Sequence, residues 1–232
     1  MKRILTIVVL ILAIASCEKE TENTMLVSGN IKGLKKGTLF LQQFKDSSLV
    51  VLDSLKIEGD GNFSFSQEVE NPDIFYLYLE KEDQNEVNDR ILFFGEPGQI
   101  TINTSWNTFD LNPEIMGSKS HETLSEFNEM LSKFNLKDLT LMQEATQPKY
   151  QENTEALDSL QRLADQNLLN RYRYVLNFGL NNGDSYATPY IMIMEAQEAN
   201  PKYLDSVYRK LSPEVAASKY GKALQDFLKK QD

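Results

Sequence analysis

The strongest constraint on the fold is a change in hydrophobic periodicity near Pro113. From Met25 to about Ser105, apolar and polar residues alternate between glycine-containing turns, which is the pattern of β-strands. After Pro113, apolar residues recur every three or four positions, which is the pattern of amphipathic helices. The sequence therefore predicts an α+β protein, in which an N-terminal antiparallel β-sandwich or partly open barrel precedes a helical region.

Seven short strands are predicted in the N-terminal part. They lie at residues 26–31, 38–44, 50–57, 63–65, 74–79, 90–94 and 99–103. Between the third and fourth strands lies Asp60-Gly61, a pair that readily adopts the positive φ of a tight turn. We therefore predict that Asp60 and Gly61 form a structural turn in a β-hairpin, with a positive φ at Gly61.

The helical region is predicted to begin with two longer helices. Ser118 or Ser120 is a candidate N-cap for a helix that ends near Phe134. A long helix follows Pro148, and its recurring apolar residues are Leu157, Leu160, Ala164, Leu168, Tyr172 and Val175. Three more helices are predicted where a cap residue precedes a proline, at Thr188-Pro189, Asn200-Pro201 and Ser212-Pro213.

The N-terminus has the features of an export signal. Lys2-Arg3 precedes an apolar run, residues 4–14, that is too short to span a bilayer, and small residues follow it. Cys17, the only cysteine, comes directly after these residues, which resembles the lipobox of bacterial lipoproteins, where the thiol is acylated and the preceding peptide is removed. The alternative is an ordinary secreted protein with a chance cysteine, but the polar residues 18–24 provide the tether that a lipoprotein needs.

The sequence therefore divides into four segments. They are a signal peptide (1–16), a lipidated tether (17–24), a β-sandwich domain (25–112) and an α-helical region packed on it (113–232). Next to the lipid, Glu18, Lys19 and Glu20 resemble the acidic export tag that sends some lipoproteins of the same bacterial group to the outer face of the outer membrane. We expect a lipid-anchored envelope protein of the outer membrane, on its periplasmic or surface face.

The charge of the chain excludes several partners. The net charge of −10 at pH 7 becomes −12 when Lys2 and Arg3 leave with the signal. Nucleic acid is not expected as a partner, because phosphate binding needs a basic surface and no cluster of Lys and Arg is longer than a pair. Acyl chains must provide the membrane attachment, since an acidic surface does not attract anionic headgroups.

Few residues in the sequence are suited to catalysis. A single cysteine, without a Cys-x-x-Cys motif, excludes thiol–disulfide chemistry within the chain. His121 is the only histidine, so histidine-activated nucleophiles and multi-histidine metal sites are excluded too. Because it lies in the first turn of a predicted helix, we expect His121 on the surface. No feature selects a carboxylate pair for glycoside hydrolysis, and we predict no enzyme activity, no cofactor and no metal.

Two other groups of residues are candidates for binding or modification. Trp106 and four tyrosines either line a ligand groove or, as is commoner for aromatic residues at helical spacing, belong to the core. The tyrosines are Tyr172, Tyr174, Tyr186 and Tyr190. Three Asp-Ser-apolar sequences resemble the O-glycosylation acceptor of the same bacteria, and their serines are Ser54, Ser159 and Ser206. Two of these serines lie in predicted helices, which argues against access.

Several blocks of the sequence resemble a known family. They are residues 27–31 with 37–41, 53–65, 93–102, 116–118 and 212–227. The family is the N-terminal domain of unknown function of Bacteroidetes lipoproteins, which commonly precedes a thioredoxin-like domain of the thiol-disulfide oxidoreductase type. The resemblance implies the fold of the chain and its location in the cell envelope. The sequence reaches Asp232, where the redox domain would begin, without a Cys-x-x-Cys, so we expect none of the family's redox chemistry in these residues.

Two functions remain open at this point. The first is a membrane-anchored, non-catalytic binding or assembly module of the cell envelope, with a glycan or a thioredoxin-like protein as partner. The second is the recognition half of a thiol-disulfide oxidoreductase system, either truncated or working with a separately encoded thioredoxin-like domain. The second function requires a Cys-x-x-Cys domain, supplied by a longer reading frame or by a stable partner, whereas the first function does not.

The Cys17→Ala substitution tests the predicted anchor. Because the lipid is expected on this thiol, the variant should lose its acyl chains and move almost completely from the membrane fraction to the soluble fraction. Cell fractionation and mass spectrometry of the N-terminus measure both effects. Membrane retention of the variant, together with a wild-type N-terminus that carries no lipid, would contradict the prediction.

Overall fold

The structure, a computed structural model, describes residues 23–45, 48–81 and 89–231. Within them, two four-stranded sheets in the N-terminal part are followed by helices, which confirms the α+β prediction. The predicted signal peptide, Cys17, Glu18, Lys19 and Glu20 lie outside the described residues.

Eight strands are present in the described residues. They are β1 (Thr24–Lys32), β2 (Lys36–Lys45), β3 (Ser48–Glu58), β4 (Asn62–Glu68), β5 (Asp73–Lys81), β6 (Asp89–Gly95), β7 (Gly98–Ser105) and β8 (Glu114–Met116). Sheet A has the strand order β4-β1-β7-β8, and sheet B has the order β3-β2-β5-β6.

The core of the sandwich lies between the two sheets. Alternate residues of each strand face this core, as the two-residue period of a strand requires. Phe75 and Phe93 stack there with ring centroids 5.9 Å apart. Other buried apolar side chains include Val27, Leu39, Leu77, Ile91 and Ile100.

The sheets differ from the prediction in two respects. β1 pairs with β7 in parallel, so the sandwich is not wholly antiparallel. This pairing is possible because the chain passes through sheet B between the two strands, which supplies the long crossover that parallel strands need. β8 pairs with β7 beyond Pro113, so sheet A continues past the point where only helices were expected.

The predicted hairpin at Asp60-Gly61 is wrong. β3 pairs with β2 in sheet B and β4 pairs with β1 in sheet A, so the turn carries the chain from one sheet to the other. Gly61 nevertheless has the expected positive φ, 77°. Its carbonyl accepts a hydrogen bond from Ile31 N at 2.8 Å, and Asn30 Nδ2 donates to Asp60 O at 2.9 Å. The turn is therefore fixed against the end of β1.

Seven α-helices follow in the described residues. They are α1 (Lys119–Ala145), α2 (Pro148–Gln151), α3 (Thr154–Asn181), α4 (Ala187–Glu195), α5 (Pro201–Tyr208), α6 (Pro213–Ala217) and α7 (Lys219–Lys229). The predicted caps Ser118, Asn200 and Ser212 are confirmed, since each side chain accepts a hydrogen bond from a backbone N–H of the first turn. In this part of the chain, no helix has the length and apolarity needed to cross a bilayer.

Two helix boundaries near the start of the region differ from the prediction. α1 continues past Phe134 to Ala145, because no glycine or proline interrupts it and its second half pairs with α3. The helix expected directly after Pro148 is the short α2, and the long helix α3 begins only at Thr154.

Two further helix starts also differ. Thr188 is not an N-cap, because α4 begins at Ala187 and the buried Thr188 hydroxyl donates to Asn182 O. The last predicted helix is two helices. Ser218 has an extended backbone, ends α6 and caps α7 by accepting a hydrogen bond from Gly221 N at 3.2 Å.

The helices pack on the outer face of sheet B. Ile74 of β5 and Phe94 of β6 point away from the sandwich core and are buried among helical side chains. The Phe94 ring contacts Tyr190 and Tyr220 edge-on, with centroids 5.7 and 6.3 Å apart. Sheet B therefore separates two hydrophobic cores, one shared with sheet A and one shared with the helices.

The Gly61→Ala substitution tests the packing of the turn. A Cβ atom here would lie 2.2 Å from Ile31 O, so the free energy of unfolding should fall by about 1–3 kcal/mol. Gly59→Ala is the matched control, because Gly59 also has a positive φ, 129°, but no atom lies within 4 Å of its Cβ position. Urea denaturation of both variants measures the difference. If the Gly61 variant is as stable as the Gly59 variant, the close approach to β1 is wrong.

Candidate functional site

Two carboxylates lie at the end of sheet B that faces the helices. Asp73, at the start of β5, pairs with Gly95 at the end of β6, and Glu96 follows Gly95 directly. The antiparallel register therefore brings Asp73 and Glu96 to neighbouring strands at the same end of the sheet. Each carboxylate contacts the start of a different helix.

Glu96 holds the N-terminus of α1. Its carboxylate accepts hydrogen bonds from Lys119 N and, at 2.7 Å, from Ser120 Oγ. Ser118 Oγ accepts a hydrogen bond from His121 N at 3.0 Å. Two backbone N–H groups of the first turn thus have side-chain partners, and a negative charge lies where the helix dipole favours one.

His121 lies in the same turn and is partly buried, rather than exposed on the surface as predicted. Phe94 N donates a hydrogen bond to His121 Nδ1 at 3.4 Å, which makes this ring nitrogen an acceptor. Burial lowers the pKa of His121 to about 4, although the nearby Glu96 carboxylate acts in the opposite direction. At neutral pH the imidazole is therefore uncharged and joins α1 to β6.

Asp73 holds the start of α7. Its carboxylate accepts hydrogen bonds from Gln43 Nε2 at 2.9 Å and from Lys219 Nζ at 2.7 Å. Burial raises the pKa of the adjacent Tyr220, and the Asp73 carboxylate raises it further. Asp73 and Lys219 are 146 positions apart in sequence, so this ion pair connects the sandwich to the last helix.

A polar cleft of about 600 Å³ lies beside the Glu96 contacts. Its walls include Glu70, Glu96, Lys119 and Asp184. The Glu96 carboxylate is already engaged by the start of α1. Across the described ranges, no group of three or more His, Cys, Asp or Glu side chains is placed to hold a metal ion.

A second concave site, which we call the helical groove, lies beside α3 and has a volume of about 580 Å³. Leu169, Leu176 and Leu180 form its apolar wall. At about 100° per residue these three side chains fall on one side of α3, opposite the buried Leu160 and Asn167 that face α1. α3 therefore has apolar side chains on two opposite sides.

The other wall of the groove comes from the connection between α4 and α5 and from α5 itself. It consists of Glu198, Ala199, Asn200, Tyr203 and Ser206. Tyr172 OH donates a hydrogen bond to Glu198 Oε2 at 3.1 Å, which joins the two walls. Burial and this contact raise the pKa of Tyr172. Arg173 also lines the groove and forms no ion pair with any described residue.

The aromatic residues that the sequence singled out divide between sites and core. Tyr172 lines the helical groove, and Tyr186 lines the polar cleft. Tyr174 and Tyr190 pack against the core between the helices and sheet B. Trp106 is exposed at the end of β7, away from both concave sites.

The three candidate acceptor serines lie on three different elements. Ser54 is in β3, Ser159 in α3 and Ser206 in α5, and all three are exposed. Ser206 lines the helical groove, where its hydroxyl donates to Lys202 O at 2.9 Å. The structure therefore does not bring these serines together, and membership of a helix does not bury them.

Sequence reasoning missed both carboxylate contacts and the leucine wall of the groove, although it named Tyr172 as a possible groove residue. The partners of Glu96 lie in the next helix, and the partner of Asp73 lies almost at the end of the chain. A carboxylate directly after a proline at the start of a strand, as in Pro72-Asp73, is the single local signal that could have indicated a special role.

The N-terminal part of the chain is similar to a known protein family. Residues 25–124 match the domain of unknown function DUF4369. The resemblance to a domain of unknown function is therefore confirmed for this range. No curated protein and no solved structure matches the chain. The DUF4369 match includes both sheets, both carboxylates and the first residues of α1, whereas α7 and the helical groove lie beyond it.

The partly buried His121 predicts a specific pH dependence of stability. Unfolded histidine has a pKa of 6.5, and the folded group has one of about 4, so the unfolded state binds more protons between these values. Stability is therefore lost as the pH falls. From about pH 7 to about pH 4.5 the wild type should lose about 2 kcal/mol more than His121→Asn, whose amide oxygen can still accept from Phe94 N. Urea denaturation at both pH values measures this, and equal losses would contradict the burial of a neutral imidazole.

Proposed function

We propose that the protein is a lipoprotein of the cell envelope whose folded part is a non-catalytic binding or assembly module. The sequence around Cys17 supports the anchor, since a basic start, a short apolar run and small residues precede this cysteine. β1 begins at Thr24, so the intervening chain can extend no more than about 25 Å from the lipid. The folded part is thus kept close to the membrane surface.

The helical groove is the observation that carries the binding proposal. Its volume falls within the range of ligand sites, and its walls combine leucines with a few polar groups, which is the usual composition of such sites. Arg173, Asn177 and Asn200 are the polar groups that could orient a ligand. The leucines on this side of α3 are not needed for its packing against α1, because α3 uses its opposite side there.

The polar groups near the sheet support a structural rather than a catalytic role. Glu96 accepts two hydrogen bonds from the start of α1, and Asp73 accepts hydrogen bonds from Gln43 of β2 and Lys219 of α7. His121 is an uncharged acceptor. Groups engaged in this way are poorly suited to exchange protons with a substrate. We therefore propose neither an enzyme activity nor a cofactor.

The location follows from the same proposal. The lipid on Cys17 holds the protein to the outer membrane, and Glu18, Lys19 and Glu20 act as the export tag to its outer face. The partner that the groove binds is a glycan or a thioredoxin-like protein. A thioredoxin-like partner would make the chain the recognition half of a thiol-disulfide oxidoreductase system.

A pull-down from native envelope tests the binding proposal. The lipidated wild type should retain a ligand or partner that Leu180→Glu loses, because the new charge lies in the apolar wall of the groove. Leu111→Glu is the control, since Leu111 is exposed and lies outside the groove. Mass spectrometry of bound proteins and glycan analysis of the eluate identify the partner.

The outcomes separate the alternatives. A glycan that depends on the groove supports the binding module, and a Cys-x-x-Cys protein that depends on the groove supports the recognition half. Equal retention by wild type, Leu180→Glu and Leu111→Glu would show that the groove is not the binding site.

A further inference from the structure

The outer face of sheet A carries an ordered array of uncharged polar side chains. Val27 of β1, Phe63 of β4 and Ile100 of β7 face the sandwich core, so the residues that alternate with them face outward. The register of the three strands places these outward residues side by side in rows. We call two adjacent rows the polar face: Asn62, Asn30 and Asn103 form one row, and Ser64, Ser28 and Thr101 form the next.

The absence of charge from the polar face is unusual for this chain. Charged residues make up 25% of the sequence, and a comparable share of a protein surface is normally charged. The charged residues on the same side of sheet A are Lys32, Glu68 and Glu114, which lie at strand ends and on the short β8, around the polar face rather than within it. The helices pack on the other sheet, and Asn62 and Ser64 are exposed. The polar face is therefore open to solvent.

Hydrogen bonds hold the asparagines of the polar face in place. Asn30 Nδ2 donates to Asn62 Oδ1 at 2.7 Å and to Asp60 O at 2.9 Å, and Asn103 Oδ1 accepts from Asn30 N at 3.1 Å. These bonds use only part of each amide. Asn30 Oδ1, Asn103 Nδ2 and the Thr101 hydroxyl have no hydrogen-bond partner among the described residues. The polar face thus combines fixed side chains with unused donors and acceptors.

A third row extends this uncharged surface. It consists of Ser66, Leu26 and Gln99. Gln99 Nε2 donates to Ser28 Oγ at 2.8 Å, which joins this row to the polar face. Leu26 and the neighbouring Met116 of β8, which is 52% exposed, add apolar contact area beside the polar groups. The three rows together measure about 10 Å across the strands and about 13 Å along them.

The composition and size of this surface exclude several classes of ligand. Nucleic acid and anionic headgroups need basic side chains, and none lies within the three rows. A stable protein interface needs aromatic or apolar anchors and about 800 Å² per partner, whereas these rows cover only about 130 Å² and consist mainly of hydroxyls and amides. The surface instead suits a small, uncharged ligand with many hydroxyl groups.

We infer that the polar face, together with Leu26 and Met116, binds a neutral glycan. Each sugar hydroxyl both donates and accepts, so adjacent hydroxyls can accept from Asn103 Nδ2 and donate to Asn30 Oδ1, while Thr101 does either. The C–H groups of a sugar ring pack against the apolar side chains. Binding is weak, because an open surface leaves one side of the ligand in water. This inference rests neither on the proposed anchor nor on the helical groove.

Affinity electrophoresis in gels that contain dextran, mannan, starch or galactomannan tests the inference, on the chain from residue 18 onward, which contains every described contact. At least one of these neutral polysaccharides should retard the wild type. Asn103→Asp should raise the dissociation constant by about tenfold, because the carboxylate still accepts from Asn30 N but cannot donate to a sugar. Asn135→Asp is the matched control, since it adds the same charge at an exposed position of α1. Circular dichroism checks that both variants are folded.

The outcomes separate this surface from other binding sites. Retardation that Asn103→Asp weakens and Asn135→Asp does not supports the inference. It is overturned if none of the four polysaccharides retards the wild type, or if the two variants behave alike. Retardation that is lost in Leu180→Glu but kept in Asn103→Asp also overturns it, because the glycan would then lie in the helical groove.

Discussion

Two carboxylates at one end of sheet B are the constraint on which the rest of the structure depends. Glu96 accepts hydrogen bonds from the first turn of α1, and Asp73 accepts them from the first residue of α7. These helices are the first and last of the helical region, so one end of one sheet fixes both ends of that region. The two carboxylates therefore connect the sandwich to both ends of the helical region. Because the Lys219 side chain is 47% exposed, solvent screens its ion pair with Asp73 and reduces the contribution of this pair to stability.

This arrangement explains the composition of the central strand of sheet B. In β5, Phe75 and Leu77 face the sandwich core, while Ile74 and Tyr76 face the helices, so the strand is apolar on both sides. A strand with one solvated face would alternate with polar residues instead. The DUF4369 match ends at residue 124, within α1. The first turn of α1 is held by Glu96 and His121, so it belongs structurally to the sheet rather than to the helices that follow.

The sequence predicted local features well and long-range pairings poorly. Period-two alternation located seven of the eight strands, because alternation depends only on which face of a strand is buried. The positive φ of Gly61 was also predictable, because it is a local property of the Asp60-Gly61 turn. The partner of that turn was not predictable, because it is Ile31, thirty positions earlier, rather than a neighbouring strand. Thr188 failed as a cap because burial gave its hydroxyl a different acceptor, Asn182 O.

The division of the α3 leucines between buried and exposed sides was hidden in the sequence for a related reason. Leu157, Leu160 and Leu168 were predicted to share one face of α3, and the structure separates the buried Leu160 from the two exposed leucines. When apolar residues cover more than half of a helix's circumference, several rotations of the helix about its axis would place apolar residues toward the core. Spacing alone therefore cannot decide which side faces the core. The number of apolar residues on α3 is nevertheless informative. α1 contacts only one side of α3, so this contact does not explain the leucines on its other sides. Leu169, Leu176 and Leu180 line the helical groove, so the proposed binding function accounts for three of them.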